Sequence, residues 1–224
     1  WQKAYEADTV SIFGGIVAVN RELTAEVAEL MKPIFLEIIM APSFSEEALA
    51  ILSTKKNLRL LQVDMSSSSN GQMQYVTVNG GVLVQALDTD TLTVEESMCV
   101  TERKPSAAEL SDMNFGWRIV KHVKSNAIVV VKDGHTVGVG AGQMNRVGSA
   151  EIALKQAAAA GFTENLTLAS DGFFPFDDTV TLAQKYGVTA LVQPGGSVRD
   201  EDSVKRANEF GMTMTMTGMR HFKH

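Results

Sequence analysis

The chain has 224 residues and a formal net charge of -6, and 45% of its residues are hydrophobic while 21% are charged. This length buries a sizeable core in one large domain or two small ones, and the composition is that of a soluble globular protein. No apolar run approaches the roughly 20 residues that span a bilayer, and the lack of a basic surface argues against a protein that wraps duplex nucleic acid. The single cysteine, Cys99, excludes an intrachain disulfide and a cysteine-rich zinc site, so we expect a reducing, cytoplasmic compartment.

The first predicted element, WQKAYEAD, is typical of the last turns of a helix and carries neither an initiator methionine nor a signal-peptide pattern. We therefore expect the chain to begin inside a longer protein. After it, apolar β-branched runs alternate with helical patterns, which predicts an α/β fold. The predicted strands lie at 12–19, 35–41, 58–65, 76–85, 126–142, 166–170, 189–194 and 212–217. Their continuous hydrophobicity indicates strands that are covered on both faces.

Capping and turn residues mark where helices and hairpins should lie. Helices are predicted after four capping residues: Thr24, Ser45, Ser106 and Asp200. Gly211 ends the last of these helices, Asp133-Gly134 predicts a tight hairpin, and SSSSNGQ at 66–72 predicts a flexible loop. IIMAPSFSEEA and LVQPGGSVRDED share a strand, a proline turn, a serine and an acidic helix start, which indicates either two related subdomains or a coincidence.

The segment GVGAGQMNRVGSAEIALKQAAAAG, at 138–161, has the glycine density of a nucleotide-binding loop. Its spacing rejects both standard loops, because Gln143 stands where the dinucleotide fingerprint needs its third glycine and no lysine-serine or lysine-threonine pair follows as in a P-loop. Two interpretations remain. The glycines serve a bulge or close packing, or they end a strand that presents Asn145 and Arg146 at a helix start, where backbone N–H groups favour an anion.

Three other segments place polar residues next to predicted strands. In ASDGFFPFDDT, carboxylates flank aromatic rings, which suits a flat heteroaromatic ligand, although a helix N-cap over a buried aromatic cluster fits equally well. In VKSNAIVV, the lysine, serine and asparagine form either a ligand-binding cluster or a turn. QPGGSVRDED fits a plain β-to-α connection better than a phosphate site.

The sequence gives little support for a metal site, a catalytic triad or a dehydrogenase. His221 and His224 have the spacing of a metal pair, but no further cysteine or histidine cluster accompanies them, so we predict no metal site. No G-x-S-x-G nucleophile elbow occurs, which argues against a serine-histidine-acid triad. The glycine spacing disfavours a nicotinamide dehydrogenase.

Taken in order, seven segments resemble the AICAR transformylase region of the bifunctional purine biosynthesis proteins. They are DTVSIFGGIVAVNREL, APSFSEEAL, VKSNAIVV, GVGAGQMNRVGSAEIA, ASDGFFPFDD, QPGGSVRDED and MRHFKH. The resemblance covers essentially the whole chain, and the combination of motifs is highly specific. It implies de novo purine biosynthesis by transfer of a formyl group from N10-formyltetrahydrofolate to the 5-amino group of AICAR ribonucleotide. The parent enzyme also carries an IMP cyclohydrolase domain, a hydrolase that closes the product to IMP.

The resemblance also implies a cytidine deaminase-like α/β fold, with mixed sheets flanked by helices and two related subdomains. The chain would be the C-terminal portion of the transformylase domain, with 1–120 completing the first subdomain and its connection and 121–224 forming the second. The IMP cyclohydrolase domain and the start of the transformylase domain would lie outside it. A homodimer with active sites at the subunit interface and a potassium ion near the site are implied, whereas neither nucleic acid nor a membrane is expected as a partner.

At positions that match the family's motifs, the resemblance implies the family's ligand contacts. The AICAR contacts are Gly14, Glu37, Asn126, Phe173 and Arg220. Among them, Asn126 should contact the carboxamide or the transferring formyl group, Phe173 should lie against the base, and Arg220 should bind the 5′-phosphate. The folate contacts are Phe13, Asn145, Arg146, Pro175, Phe176 and Asp178, the last of which suits the pterin.

Departures from the family pattern bear on the folate contacts and on activity. Asn145 stands where many relatives have serine, Gly172 where they often have alanine, and Asp177 where they often have arginine. The family's lysine-histidine pair, in a KHxNPCG-like segment upstream of the SIFGG strand, is not in this chain, and Lys121-His122 repeats it only late in a helix pattern.

Formyl transfer needs an acid/base and a cation that stabilises the tetrahedral oxyanion. Without the lysine-histidine pair, we expect the chain to be inactive alone, with Asn126 as its one catalytic candidate. The alternative is a non-catalytic nucleotide- or folate-binding and dimerisation module of the same fold.

Overall fold

The computed structural model describes residues 1–65 and 72–223 and confirms an α/β protein of mixed helices and strands. The chain forms two compact units, Trp1–Leu87 and Asp88–His224. Most of the loop predicted at 66–72 lies outside the described residues, as does His224.

The first unit is built on a small parallel sheet with the order β1-β2-β3. Its elements are α1 (Gln2–Glu6), β1 (Gly15–Ala18), α2 (Ala25–Met31), β2 (Leu36–Ala41), α3 (Glu46–Leu52) and β3 (Arg59–Gln62). Ser45 caps α3 as predicted, because its side chain accepts a hydrogen bond from the Ala48 N–H. Helices α2 and α3 pack together with the buried Ile39 of the central strand in one apolar core.

Only one face of this three-stranded sheet is covered. Ile16 on β1 is 62% exposed and Leu61 on β3 is 43% exposed. The expectation of strands covered on both faces is therefore wrong for the first unit, where continuous hydrophobicity leaves an apolar sheet face open within this chain.

The single strand predicted at 76–85 is a hairpin, of β4 (Met73–Val78) and β5 (Gly81–Ala86). Asn79 and Gly80 form its turn, and Gly80 has φ +80°, a left-handed conformation that favours glycine. The apolar run on both sides conceals this two-residue turn in the sequence.

The second unit contains a five-stranded mixed sheet with the order β10-β9-β8-β6-β7. Its strands are β6 (Ile128–Lys132), β7 (His135–Gly140), β8 (Leu166–Ser170), β9 (Val188–Gln193) and β10 (Thr213–Met216). Strands β8, β9 and β10 are parallel, and β6 runs antiparallel to both β7 and β8. The turn between β6 and β7 is the predicted Asp133-Gly134 hairpin, whose two N–H groups donate to the Asp112 carboxylate at 2.9 and 2.8 Å.

Helices cover both faces of this sheet, as the continuous hydrophobicity predicts for these strands. They are α4 (Ala107–Val120), α5 (Arg146–Ala159), α6 (Asp178–Lys185) and α7 (Asp200–Glu209), and a short 3-10 helix spans Glu96–Met98. Helix α4 packs on one face through Met113 and Trp117, and the other three pack on the opposite face. The subdomain boundary predicted near residue 120 thus falls inside the second unit, because α4 shares a core with the strands that follow it.

Two glycines of the 138–161 segment bring β7 and α5 together. A Cβ on Gly138 would lie 1.9 Å from the Ala153 carbonyl oxygen, and one on Gly140 would lie 1.9 Å from the Ser149 carbonyl oxygen. Any side chain there would push the helix off the sheet. For these two glycines, the structure supports the close-packing interpretation.

An ionic network ties the start of α4 to the sheet. Arg103 donates to both carboxylate oxygens of Glu109 at 2.9 and 2.8 Å, and the Thr189 hydroxyl donates to Glu109 at 2.8 Å. Glu109 also accepts from the Ser106 N–H in the capping box predicted by Ser106. Burial opposes ionisation of Glu109, but hydrogen bonds from Arg103, Ser106 and Thr189 outweigh it and lower its pKa to about 2.

Glu109→Gln is expected to lower the free energy of unfolding at pH 7 by about 2 kcal/mol, because it removes charge-assisted hydrogen bonds. Since the folded-state pKa is depressed from 4.5 to about 2, this stabilisation is complete above pH 4.5 and is lost as the pH falls towards 2. Urea unfolding at several pH values measures the difference. Glu151→Gln, which removes an exposed pair with Lys155, is the control. A Glu109→Gln deficit that did not shrink on acidification would contradict the assignment.

Candidate functional site

A cavity of about 470 Å³ lies at the end of the five-stranded sheet where β6 begins. Ile128, the first residue of β6, pairs with both Ser170 at the end of β8 and Gly140 at the end of β7, so the segments that flank these positions meet there. The cavity is lined by Ser125, Asn126, Met144, Asn145, Arg146, Phe173, Pro175 and Phe222. It therefore joins four sequence segments that lie far apart along the chain.

The structure places five predicted ligand contacts on this cavity: Asn126, Asn145, Arg146, Phe173 and Pro175. Sequence reasoning did not assign Met144 or Phe222 to a ligand. Met144 is fully exposed and Phe222 is 43% exposed. The only sequence signal for Phe222 was its place in the MRHFKH segment, two residues after Arg220.

Arg146, which lines the cavity, forms an ion pair with Asp171, and both residues are buried. The Asp171 carboxylate also accepts hydrogen bonds from the Ser125 hydroxyl and from the Ala127 N–H, the latter at 3.1 Å. Arg146 donates a second bond to the Ala127 carbonyl oxygen at 3.2 Å. The pair thus fixes the start of α5 against the entrance of β6 and the end of β8.

Gly172 packs closely against this pair. A Cβ at that position would lie 2.4 Å from Arg146 Nη2 and 2.7 Å from the Phe222 ring. An alanine there would therefore require the guanidinium or the ring to shift.

Asn145 and Asn126 differ in which side-chain atoms are available to bind a ligand. Asn145 is the N-cap of α5, and its side-chain oxygen accepts from the Gly148 N–H at 2.7 Å. Asn126 donates from Nδ2 to the Gln143 carbonyl oxygen at 2.8 Å. Among the described residues, none donates a hydrogen bond to Asn126 Oδ1, so this oxygen is available to accept one from a ligand.

The chain end presents Arg220 and Phe222 outwards and buries His221 between them. The backbone N–H of His221 donates to the Asp171 carbonyl oxygen at 2.9 Å, and Nδ1 of the His221 ring lies 2.5 Å from Asp88 Oδ2. The centre of its ring lies 4.5 Å from that of the Trp117 ring, and the two rings are tilted by 52°. His221 is thus a buried anchor, and no cluster of three metal-ligating side chains exists in the described residues.

Arg220 has the surroundings of an anion-binding side chain. Its guanidinium lies 4.9 Å from the centre of the Phe173 ring. It forms no hydrogen bond or ion pair with any residue that the structure describes. The donors of Arg220 are therefore available to a ligand, while Phe173 holds the guanidinium plane.

The QPGGSVRDED segment is a β-to-α connection, as the sequence favoured. The Gly196 and Ser197 N–H groups donate to Asp200 Oδ2 at 2.6 and 3.2 Å. A protein carboxylate thus already accepts from both of these N–H groups.

The aromatic and acidic residues of the DGFFPFDD segment differ in burial and in partners, and the N-cap residue Asp177 makes no side-chain cap bond. Phe174 is buried in the core, whereas Phe176 is 50% exposed beneath the guanidinium of Arg199. Asp177 pairs with Arg206 at 2.9 Å. Asp178 opens α6 and accepts from the Thr179 N–H at 2.7 Å.

The remaining predicted contacts belong to the first unit. Phe13 is 76% exposed and packs 5.0 Å from the Phe35 ring, while the Gly14 N–H donates to the Phe35 carbonyl oxygen at 2.9 Å. Glu37 lies on β2 and pairs with Arg59 at 3.4 Å.

Lys121 and His122 end helix α4 and do not line the cavity. Lys121 Nζ donates to the Asp90 carbonyl oxygen at 2.7 Å. Burial, followed by the charges of Lys121 and Lys223, lowers the pKa of His122. This geometry supports the interpretation of the pair as a structural helix end.

Comparison with known proteins gives the context of this site. Residues 1–156 match the family described as AICARFT/IMPCHase bienzyme. Over its full length the chain is 56% identical to the bifunctional purine biosynthesis protein PurH of Bacillus cytotoxicus, 57% identical to that of Anoxybacillus flavithermus and 54% identical to that of Bacillus subtilis. It spans 43% of the length of each of these relatives.

No helix among residues 1–65 and 72–223 is long and apolar enough to cross a bilayer. The match to the family covers more than half of the chain, and the relatives align with all of it. The chain therefore belongs to the AICARFT/IMPCHase bienzyme family.

Proposed function

We propose that this chain supplies much of the AICAR ribonucleotide and folate pockets of an AICAR transformylase, a formyltransferase of de novo purine biosynthesis. The observation that carries the proposal is the cavity beside Arg220, in a chain that is 56% identical along its whole length to a PurH protein. Two side chains line this cavity. One is Asn126, whose Oδ1 receives no hydrogen bond from any described residue, and the other is Phe173, which presents its ring.

On the nucleotide side, each side chain suits one part of AICAR ribonucleotide. Arg220 offers several parallel N–H donors to the 5′-phosphate, a geometry that a point charge does not provide. Phe173 offers a ring face to the base. Asn126 Oδ1 suits an N–H of the amine or carboxamide, which would orient the amine towards the formyl carbon. Glu37 and Gly14 are the proposed contacts from the first unit.

On the folate side, Asn145, Arg146 and Pro175 border the cavity, and Phe176 and Asp178 follow at the start of α6. The side chains of Asn145 and Arg146 are held by protein partners, so they shape the cavity wall for N10-formyltetrahydrofolate. The exposed Phe13 adds an aromatic contact from the first unit.

The acid/base for formyl transfer is the missing part. The amine must lose a proton while the oxyanion is stabilised and the folate nitrogen is protonated. Among the described residues, no histidine or lysine lines the cavity. We therefore propose that the chain binds substrate but is inactive alone. We also propose that it corresponds to the C-terminal portion of a transformylase domain that has two related subdomains.

Other properties of the parent enzyme are proposed with it. They are IMP cyclohydrolase activity in another domain, a cytidine deaminase-like fold, a cytoplasmic location and a homodimer with active sites at the interface. The open apolar sheet face of the first unit, with Ile16 and Leu61 exposed, supports further contacts beyond this chain.

Potassium is proposed as an accessory ion. The Asp171 carboxylate does not fit as its ligand, because it already accepts hydrogen bonds from the Ser125 hydroxyl and the Ala127 N–H and pairs with the Arg146 guanidinium, whose charge would repel a second cation. The ion is therefore proposed from the family resemblance without assigned ligands.

Calorimetric titration of the chain with AICAR ribonucleotide, together with a formyl-transfer assay, tests the proposal. We expect saturable binding but turnover about a thousandfold below that of the Bacillus subtilis relative, since the acid/base is missing. Absence of binding would sink the proposed function. Turnover at the relative's rate would show that the lysine-histidine pair is dispensable or replaced. In the parent gene, absence of an upstream lysine-histidine motif would favour the non-catalytic binding module.

A further inference from the structure

Gln193 is a fully buried amide at the end of β9 that serves two turns at once. Its side-chain oxygen accepts from the Gly195 N–H at 3.0 Å and from the Phe174 N–H at 3.4 Å. Its Nε2 faces Met214 Sδ at 3.5 Å on the neighbouring strand β10. One side chain therefore links the turn after β8 to the turn after β9.

Both of these turns touch the guanidinium of Arg220. In the turn after β8, Phe173 precedes Phe174, and the centre of its ring lies 4.9 Å from the guanidinium carbon. In the turn after β9, Gly196 follows Gly195, and a Cβ on Gly196 would lie 3.2 Å from Arg220 Nη2. The guanidinium thus sits between two turns whose spacing is set by the Gln193 oxygen.

We propose that Gln193 is a positioning residue that orients Arg220 for the phosphate of the nucleotide. The inference rests on the proposed function. Without the amide oxygen, two buried N–H groups lose their acceptor and the turns move to recover hydrogen bonds with water. Phe173 and Gly196 then no longer fix the guanidinium plane, and a phosphate loses a preorganised partner.

Gln193→Met keeps the length and volume of the side chain but removes the acceptor. The dissociation constants of AICAR ribonucleotide and of the AICA riboside, which lacks the phosphate, are measured by calorimetry on the full chain. The ratio of riboside to ribonucleotide dissociation constants reports the gain from the phosphate. We expect Gln193→Met to reduce this ratio about tenfold, the loss of a charge-assisted hydrogen bond.

Thr167→Val is the matched control, because Thr167 is also buried, on β8, but lies at the end of the strand away from the cavity. Both variants are expected to lower the melting temperature, and only Gln193→Met should lower the ratio. A ratio unchanged in Gln193→Met would overturn the inference. Should that variant fail to fold, Gln193→Asn, whose amide is one methylene shorter, goes through the same titrations with the same criterion. Lack of nucleotide binding by the unsubstituted chain would instead refute the proposed function.

Discussion

Asp171→Asn is expected to destabilise the chain by about 3–5 kcal/mol, the cost of leaving one partner of a buried ion pair without its counter-charge. Asp171 is completely buried, and only 6% of the Arg146 side chain is exposed. Asparagine has the same shape but is neutral, and it turns an acceptor into an NH2 group that faces donors. The Arg146 guanidinium is then buried without a counter-charge and keeps only its hydrogen bond to the Ala127 carbonyl oxygen.

Urea unfolding of the unsubstituted chain and of Asp171→Asn at pH 7 measures this difference in the free energy of unfolding. Asp177→Asn is the control. Asp177 also pairs with an arginine, Arg206, but 35% of its side chain and 39% of that of Arg206 are exposed. Exposed pairs of this kind contribute about 0–1 kcal/mol. If Asp171→Asn destabilised the chain no more than Asp177→Asn, the buried pair would not hold the start of α5 against the entrance of β6 as described.

The Asp171–Arg146 pair also shows why sequence reasoning named Arg146 but did not predict its partner. Arg146 was expected to face a folate because the family resemblance implies it, whereas its place at a helix start after a glycine-rich strand indicated only an anion site. Its pairing with Asp171 depends on the sheet order, in which β6 lies between β7 and β8. No local pattern encodes that order, so the ion pair was not predicted.

Local signals, by contrast, predicted part of the local structure. Thr24 makes no side-chain cap bond, and Asp200 is the first residue of α7 while Arg199 is its N-cap. The capping serines at 45 and 106 and the Asp133-Gly134 turn were correct, because each is decided by hydrogen bonds within a few residues. The packing role of Gly138 and Gly140 depends on the helix that lies across them, so the sequence left two interpretations open. Gln193 was missed because a glutamine at the end of an apolar strand carries no signal that its amide serves two turns.

Arg220→Ala is expected to weaken AICAR ribonucleotide binding by about 30- to 100-fold, equivalent to about 2–3 kcal/mol for hydrogen bonds to a charged group. Affinity for the riboside and for folate should change little, because the guanidinium is assigned to the phosphate alone. Phe173 remains in place as the base-facing ring, so the cavity itself is retained.

Arg206→Ala is the control for this substitution. Arg206 also lies over an aromatic ring, that of Phe210 at 5.7 Å, but it is paired with Asp177 and Glu209 and does not line the cavity. Its removal should leave nucleotide affinity unchanged, which calorimetric titration of both variants with ribonucleotide and riboside measures. Equal ribonucleotide affinity in Arg220→Ala and the unsubstituted chain would defeat the phosphate assignment, and an equal loss for the riboside would show that Arg220 supports the base or the cavity shape instead.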